Sequence, residues 1–422
     1  MRPLRILFLT PTFPPPFYGG QEAHALGLAK ALQTRGVEVS VLTKRPSSAH
    51  ALRETLEAVP VDRLRPTGEL KALGWRGVVP AVLFLLNAIY RLMSGSARYD
   101  LVLVSGINVM PLAAAAAGLV TRKPYVIRVE SPLEIREPIG RESAAKMGLS
   151  ANAWMLRLAR ACQRAGTRRV ARVVAISTEI RDALQHAGIP PDRIIAIPNG
   201  IDTDRFAPLS AQRRNDLRRR LGIGSQEQLV VYTGRLAHSK GVMMLMNVWQ
   251  AISADYPQAR LALVGTGEGS VDSCEAELRA LLTEGLRPTV MLTGAVDNVH
   301  EWLQAADVFA FPSESEGFGL SILEAMSVGV PMVCTRVGVA AELPPSPPCA
   351  LLVAPADAAG FGEALRRLLE SAELRETLSG RARNLVQGRF SMDAIAEQYV
   401  RLGAQLAKIN ADSTSAPLAR GG

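Results

Sequence analysis

The segment Ser313-Glu314-Ser315-Glu316-Gly317-Phe318-Gly319-Leu320-Ser321-Ile322-Leu323-Glu324-Ala325-Met326 gathers residue types with chemistry to offer. It follows an apolar run that ends at Phe311, turns on two glycines and then opens a helical pattern. Backbone N–H groups at such a turn and helix start point outward and favour anions such as a diphosphate. Glu316 falls on the turn and Glu324 roughly two turns into the helix. Carboxylates placed there suit the hydroxyls of a sugar, which are donors in need of acceptors. Taken alone, the segment reads about as well as a glycine turn opening a core helix, with solvated glutamates.

A second group shifts that balance. Gly234-Arg235-Leu236-Ala237-His238-Ser239-Lys240-Gly241 follows the strand pattern Leu229 to Thr233. Arg235 and Lys240 stand just past a strand's carboxyl end, where two cations can neutralise a diphosphate leaving group. An Arg and a Lys on a loop are ordinarily just solvated. The glycine turn some 80 residues later gives these two a partner and a purpose.

Both groups need a scaffold that presents strand ends. Leu4 to Thr10, a Pro/Gly loop to Gly20, a helical pattern from Gln21 to Gln33 and the strand Val37 to Leu42 make one α/β unit. Leu229 to Thr233, the helical stretch Val242 to Ile252 and the strand Arg260 to Val264 make another. Short apolar runs at Leu101 to Val104, Tyr125 to Val129, Val173 to Ile176, Val290 to Thr293 and Asp307 to Phe311 continue the alternation. The pattern predicts α/β architecture with two doubly wound, Rossmann-like domains, each on a parallel sheet, and a ligand site in the cleft between them. Turn residues at Ile197-Pro198-Asn199-Gly200 mark the junction. The expected division is 1–198 and 199–389, with a helix over 390–410 and a disordered tail over 411–422.

Length and composition agree. The 422 residues, 48% hydrophobic and 21% charged, suit two domains with real cores and exclude a largely disordered chain. Aromatics at 5% argue against a base-stacking nucleic-acid platform. Cys162, Cys274, Cys334 and Cys349 form no C-x-x-C pair, which points to free thiols rather than a zinc knuckle or disulfide scaffold. The apolar run Ile6 to Leu9 is too short for a secretory signal, so the expected compartment is the cytoplasm. Residues 1–204 hold 27 Lys+Arg against 16 Asp+Glu, a net +11, and the remainder holds 21 against 23, a net −2, so the first half is expected to meet something anionic.

With these pieces in order, the sequence resembles the retaining glycosyltransferases of family 4, which have the two-Rossmann-domain (GT-B) fold and use nucleotide sugars. The resemblance rests on Pro15-Pro16 and Gly19-Gly20 with Glu22, Asn199-Gly200-Ile201-Asp202 with Phe206, and Gly234-Arg235-Leu236 to Lys240-Gly241. It continues through Leu263-Val264-Gly265 with Gly267, Ala306-Asp307 to Pro312-Ser313, and the two glutamates, Glu316 and Glu324, separated by seven residues. It implies that Arg235 and Lys240 bind the donor diphosphate. Glu316 would approach the donor sugar with help from the N–H groups of Phe318 and Gly319, and Glu324 would accept from the nucleotide ribose. Gly19 and Gly20 would let a first-domain loop approach the phosphates. Gly234, Gly317 and Leu320 complete the implied donor site, with a UDP- or GDP-hexose as co-substrate and no permanently bound cofactor or metal. The C-terminal helix would pack back on the first, acceptor-binding domain.

The sequence departs from the family at Glu130, which follows the strand Tyr125 to Val129 where many relatives carry a histidine. Glu130 is either a catalytic-site carboxylate or a strand-end partner of Arg128 or Arg136. A smaller departure is Gly338-Val339-Ala340-Ala341-Glu342, where relatives usually have two consecutive glycines. Asp202-Thr203-Asp204 imitates a paired-aspartate metal site but reads as a turn or cap. Gly265-Thr266-Gly267-Glu268-Gly269 lacks the spacing of a dinucleotide loop. The five histidines show no metal-ligand spacing, and His238 is either a ligand contact or a surface residue.

The 13 uncharged residues Val78 to Tyr90 are too few for a membrane span and make either a buried helix or an apolar patch at a bilayer surface. Arg157, Arg160, Arg164 and Arg168 form one helical stripe. Such a stripe is ordinarily solvated, but with the basic first half it suggests peripheral contact with anionic lipid. The expected acceptor is therefore a lipid-linked or polysaccharide intermediate of surface-glycan assembly. A soluble small-molecule acceptor and a sugar-nucleotide-binding protein without turnover are the alternatives.

Overall fold

The computed structural model describes residues 2–15, 20–65, 75–107, 110–136, 167, 170–282 and 284–415. The chain divides into two compact units, residues 1–200 with 392–422 and residues 201–391.

The first unit is built on strands β1 (Arg5–Thr10), β2 (Glu38–Lys44), β3 (Arg53–Leu56), β4 (Val59–Leu64), β5 (Leu101–Ser105), β6 (Tyr125–Val129), β7 (Arg172–Ala175) and β8 (Ile194–Ala196). They lie in the order β3-β4-β2-β1-β5-β6-β7-β8. All neighbours are parallel except β3, which runs antiparallel to β4. Every residue of β6 is buried, so this central parallel strand reads as apolar apart from Arg128, whose buried guanidinium needs partners. The helix Gly20–Thr34 lies against the helix Met392–Ser415. Leu28, Leu32, Ile395 and Tyr399 share a core with Phe8, Val41 and Leu103 of the strands. Arg35 clamps Asp393 through two hydrogen bonds of 2.8 and 2.7 Å. The C-terminal helix runs on to Ser415, past Asn410.

The β3–β4 hairpin has no counterpart in the sequence expectations. Glu57 and Ala58 turn it with φ of 46° and 69°, values that glycine or asparagine usually supplies, so no turn signal announces it.

The second unit carries β9 (Gln228–Thr233), β10 (Ala259–Val264), β11 (Val290–Gly294), β12 (Val308–Phe311), β13 (Met332–Thr335) and β14 (Leu351–Val353). Their order is β11-β10-β9-β12-β13-β14, parallel throughout. The winding direction reverses between β9 and β12, as it does between β1 and β5 in the first unit. Ligands of doubly wound sheets bind beyond the strand ends at such a reversal. The loops after β9 and β12 carry the two motif groups, so the topology brings them together.

One position shows how closely. Gly241, at φ 65°, ends the loop after β9, and a Cβ there would lie 2.0 Å from the Pro312 carbonyl oxygen after β12. Only glycine meets both conditions. Gly241→Ala is expected to cost about 2 kcal/mol or more and to lower the urea midpoint accordingly. An unchanged midpoint would contradict this packing.

Candidate active site

The loop Gly234 to Gly241 is held from several sides. The buried Tyr232 hydroxyl donates to the Arg235 carbonyl oxygen at 2.8 Å. Leu236 N–H donates to the Thr266 carbonyl at 3.1 Å, and Cys274 N–H to the Leu236 carbonyl at 3.0 Å. Asp272 accepts from the hydroxyls of Ser239 and Ser270 and from the Ser239 N–H, which holds its carboxyl well below the ordinary range. Arg235 Nη1 reaches to 3.5 Å from Ser270 Oγ. His238 turns outward to Glu277, Nε2 to Oε1 2.9 Å, which is a surface role.

The loop after β12 is tied to the first. Glu314 N–H donates to the Ser239 carbonyl at 3.1 Å, and the buried Ser313 hydroxyl donates to the Ser315 carbonyl at 3.1 Å. From the loop after β13, Val339 N–H donates to the Phe318 carbonyl at 2.7 Å. Gly338 (φ 53°) lets that loop lie flat, since a Cβ there would sit 2.4 Å from Phe318 O and 2.9 Å from Glu316 Cβ. This one glycine suffices for the close approach, and Val339 stands buried beside it.

Between these loops, Lys240 Nζ donates to Glu316 Oε1 at 2.7 Å, with both side chains largely buried. Gly319 (φ 88°) precedes the helix Leu320–Val328, and no side chain caps it. Ile322 N–H closes back on the Gly319 carbonyl at 3.1 Å, and this helix start lies beside Glu316, whose Cγ would be 3.8 Å from a Cβ at Gly319. Glu324 lies partly buried on this helix. Burial pushes its carboxyl up to about 7, opposed by the nearby Arg205. Two cations, two carboxylates and a helix N-terminus at one strand reversal can hold a diphosphate and meet hydroxyl donors.

In the first unit Arg63, fully buried, donates to the carbonyls of Phe13 (3.2 Å) and Pro14 (2.6 Å) while pairing with Glu54 at 2.6 Å. It anchors the loop leading from β1 to Gly20, the exposed first residue of its helix. Gly19 lies outside the described residues. Arg128 bonds Glu130 Oε1 through Nη1, and its Nη2 donates to Asn199 Oδ1 at 2.6 Å and lies 3.1 Å from His24 Nδ1. His24 Nε2 accepts from the Gly200 N–H at 3.0 Å. Burial and Arg128 depress the imidazole's pKa well below the ordinary value, so it stays neutral. Nearby, Glu134 accepts from the Ile107 N–H at 2.8 Å, and burial pushes its carboxyl up to about 7.

Residues 18–205 match the family described as Glycosyltransferase Family 4, and residues 227–371 match Glycosyl transferases group 1. The chain belongs to the family 4 glycosyltransferases. A D-inositol 3-phosphate glycosyltransferase of Xylanimonas cellulosilytica is 27% identical over 92% of each chain. An uncharacterized glycosyltransferase of Methanocaldococcus jannaschii is 27% identical over 94% of this chain and 97% of its own. Among solved structures, HepE of Anabaena in complex with UDP superposes with a TM-score of 0.74 at 23% identity, covering 95% of this chain and all of that one. HepE has also been solved with UDP-glucose. The fold is thus that of GT-B enzymes, with two Rossmann-like parallel-sheet domains.

For this glycosyltransferase, the structure places Gly234, Arg235, Lys240, Glu316, Gly317, Phe318 and Gly319 in the adjoining loops after β9 and β12 of the second unit, with Leu320 and Glu324 on the helix that follows. Glu130 and Gly20 belong to the first unit, where Glu130 is the partner of Arg128. The stripe Arg157, Arg160, Arg164 and Arg168 lies outside the described residues. Asp202 Oδ1 accepts from the N–H groups of Asp204 (3.1 Å) and Arg205 (2.9 Å), which makes that pair a turn. Sequence reasoning missed the supporting residues Tyr232, Asp272, Arg63 and His24. Asp272 and Arg63 sit on elements without a motif, His24 lies two residues past Glu22 on the helix that Gly20 opens, and no spacing assigns any of the three a role.

Glu134 and Glu324 carry a pH signature. Each keeps its proton up to about 7 when folded, against an ordinary value of 4.5 that the unfolded chain approaches. The folded state then holds more protons between those limits, so stability falls as pH rises from about 4.5 to about 7. Glu324→Gln should flatten this slope in urea titrations of the ligand-free protein. A slope unchanged by the substitution would contradict the shifted carboxyl.

Proposed function

We propose that the chain transfers a hexosyl group from a nucleoside-diphosphate sugar to a hydroxyl acceptor, with retention at the anomeric carbon and without a metal ion. The observation that carries this reading is the Lys240–Glu316 pair of 2.7 Å set beside Arg235 and an uncapped helix start. Without donor, ammonium and carboxylate satisfy each other. A diphosphate takes Lys240 as its own counter-ion, which releases Glu316 to accept from sugar hydroxyls. Arg235 and the helix N-terminus share the diphosphate charge, and Glu324 accepts from the ribose. The UDP and UDP-glucose bound by HepE favour a UDP-hexose over a GDP-hexose.

In the reaction the bond from C1 to the diphosphate oxygen breaks while the acceptor oxygen bonds C1 on the same face. The acceptor's proton passes to a donor phosphate oxygen. Charge grows on the departing diphosphate, and the two cations and first-turn N–H groups stabilise it in the transition state. Glu130, neutralised by Arg128, is a positioning group in this scheme.

The full-length relative that acts on D-inositol 3-phosphate favours a small phosphorylated polyol as acceptor. A glycan carried at a membrane is the second reading, favoured by the exposed apolar side chains of the helix Trp75–Ser94.

Glu316→Gln, which keeps an acceptor for Lys240, should lower transfer by about 100-fold or more while leaving a single cooperative melting transition. Unchanged turnover would refute the assignment. Arg235→Ala and Lys240→Ala should each raise the donor KM and lower kcat together, a split that separates a transition-state role from mere binding. NMR of the product should show the donor's anomeric configuration, and EDTA should leave the rate intact. Inversion or chelator sensitivity would each overturn its part of the proposal. Donor hydrolysis without acceptor distinguishes the enzyme from a binding protein.

A further inference from the structure

The helix Trp75–Ser94 leaves a row of large apolar side chains in water: Val82 (48% exposed), Leu83 (53%), Leu86 (56%), Tyr90 (67%) and Met93 (37%). Their spacing follows one face of the helix, while Phe84, Ala88 and Leu92 point into the core. This helix packs along the helix Met110–Thr121, which exposes Leu119 (64%) and Val120 (66%) at its end. The first helix enters β5 and the second leaves it, in a run of parallel strands, so the two helices point the same way. Their carboxyl ends therefore lie at the edge of the sheet where the strands begin, opposite the edge that carries the strand-end loops.

That edge is basic. Arg2, Arg5 and Lys123 gather on the single carboxylate of Asp100 at 3.1, 3.0 and 3.7 Å. One negative charge cannot balance three positive ones. Arg98, just before β5, and Arg122, just before β6, are exposed as well. Glu38 is the exposed acid that starts β2. Contiguous exposed apolar surface is uncommon on a monomer and marks a contact site. An apolar helix face with cations at its border fits an anionic bilayer, whose acyl boundary takes the first and whose headgroups take the second.

We infer that the first unit docks on an anionic lipid surface through the exposed faces of these two helices and the cations Arg2, Arg98 and Arg122. No helix among the described residues is long and apolar enough to cross a membrane, so the contact is peripheral. The cations lie at the edge opposite the strand-end loops, and the inference holds whatever the donor or acceptor.

Flotation with vesicles of phosphatidylcholine containing phosphatidylglycerol, against phosphatidylcholine alone, tests it on the full chain. The protein should float with the anionic vesicles in low salt and partition at least about fivefold less in 0.5 M salt. Leu83→Glu with Leu86→Glu should reduce flotation about tenfold or more, and Arg98→Gln with Arg122→Gln about threefold, with melting temperature and donor hydrolysis unchanged. Failure to float on anionic vesicles would overturn the proposal, as would flotation indifferent to both pairs of substitutions. A concentration-dependent dimer in sedimentation that Leu83→Glu with Leu86→Glu dissolves, with no flotation, would assign the face to a second copy of the chain instead.

Discussion

The candidate site depends on the approach of Gly241 to the Pro312 carbonyl, which forces the loops after β9 and β12 to share one small space. A doubly wound sheet supplies the strand reversal, but a reversal alone leaves two loops free to splay. Here they are joined through Ser239 to Glu314 and Ser313, and the loop after β13 is closed under them at Gly338 and Phe318. The result places Lys240 within hydrogen-bond distance of a glutamate 76 positions later in the chain. A preorganised pair of this kind needs little rearrangement when its ligand arrives, and preorganisation is what transition-state stabilisation requires.

The electrostatics of the two units differ in kind. In the second unit the charged groups at the strand ends are partly met: Lys240 has Glu316, Arg235 reaches Ser270 at 3.5 Å, and no side chain among the described residues caps the helix at Leu320. An incoming diphosphate completes such a set. In the first unit Arg128 is shared among Glu130, Asn199 and His24, and the Glu130 charge is neutralised where it stands. A carboxylate at this position therefore repels a nearby phosphate less than an isolated one would. The same network fixes Gly200, the last residue of the first unit before the chain enters the second, through His24.

Much of this was legible in the sequence for physical reasons. Central parallel strands are buried on both faces and so announce themselves as apolar runs, as Ile6 to Leu9 in β1, Leu101 to Val104 in β5 and Leu261 to Val264 in β10 do. Glycines at strand ends, such as Gly234 and Gly241, mark turns whose backbone other residues resist. The β3–β4 hairpin was illegible because Glu57 and Ala58 adopt positive φ without the residue types that signal it. Tyr232 looked like one more apolar strand residue, and only its hydroxyl's place under Arg235 shows its work. Asp272 and Arg63 act through backbone groups that no sequence pattern identifies. Of the two acidic candidates in the β12 loop segment, Glu316 was placed by its glycines, whereas the raised carboxyl of Glu324 comes from tertiary burial alone.

A crystal structure of the full chain with UDP tests the central claim most directly. The account predicts density for the diphosphate within about 3.2 Å of Lys240 Nζ and the Arg235 guanidinium and facing the first turn at Leu320, with Lys240 drawn away from Glu316. UDP bound elsewhere, or bound with the Lys240–Glu316 pair intact and Arg235 still in solvent, would contradict it.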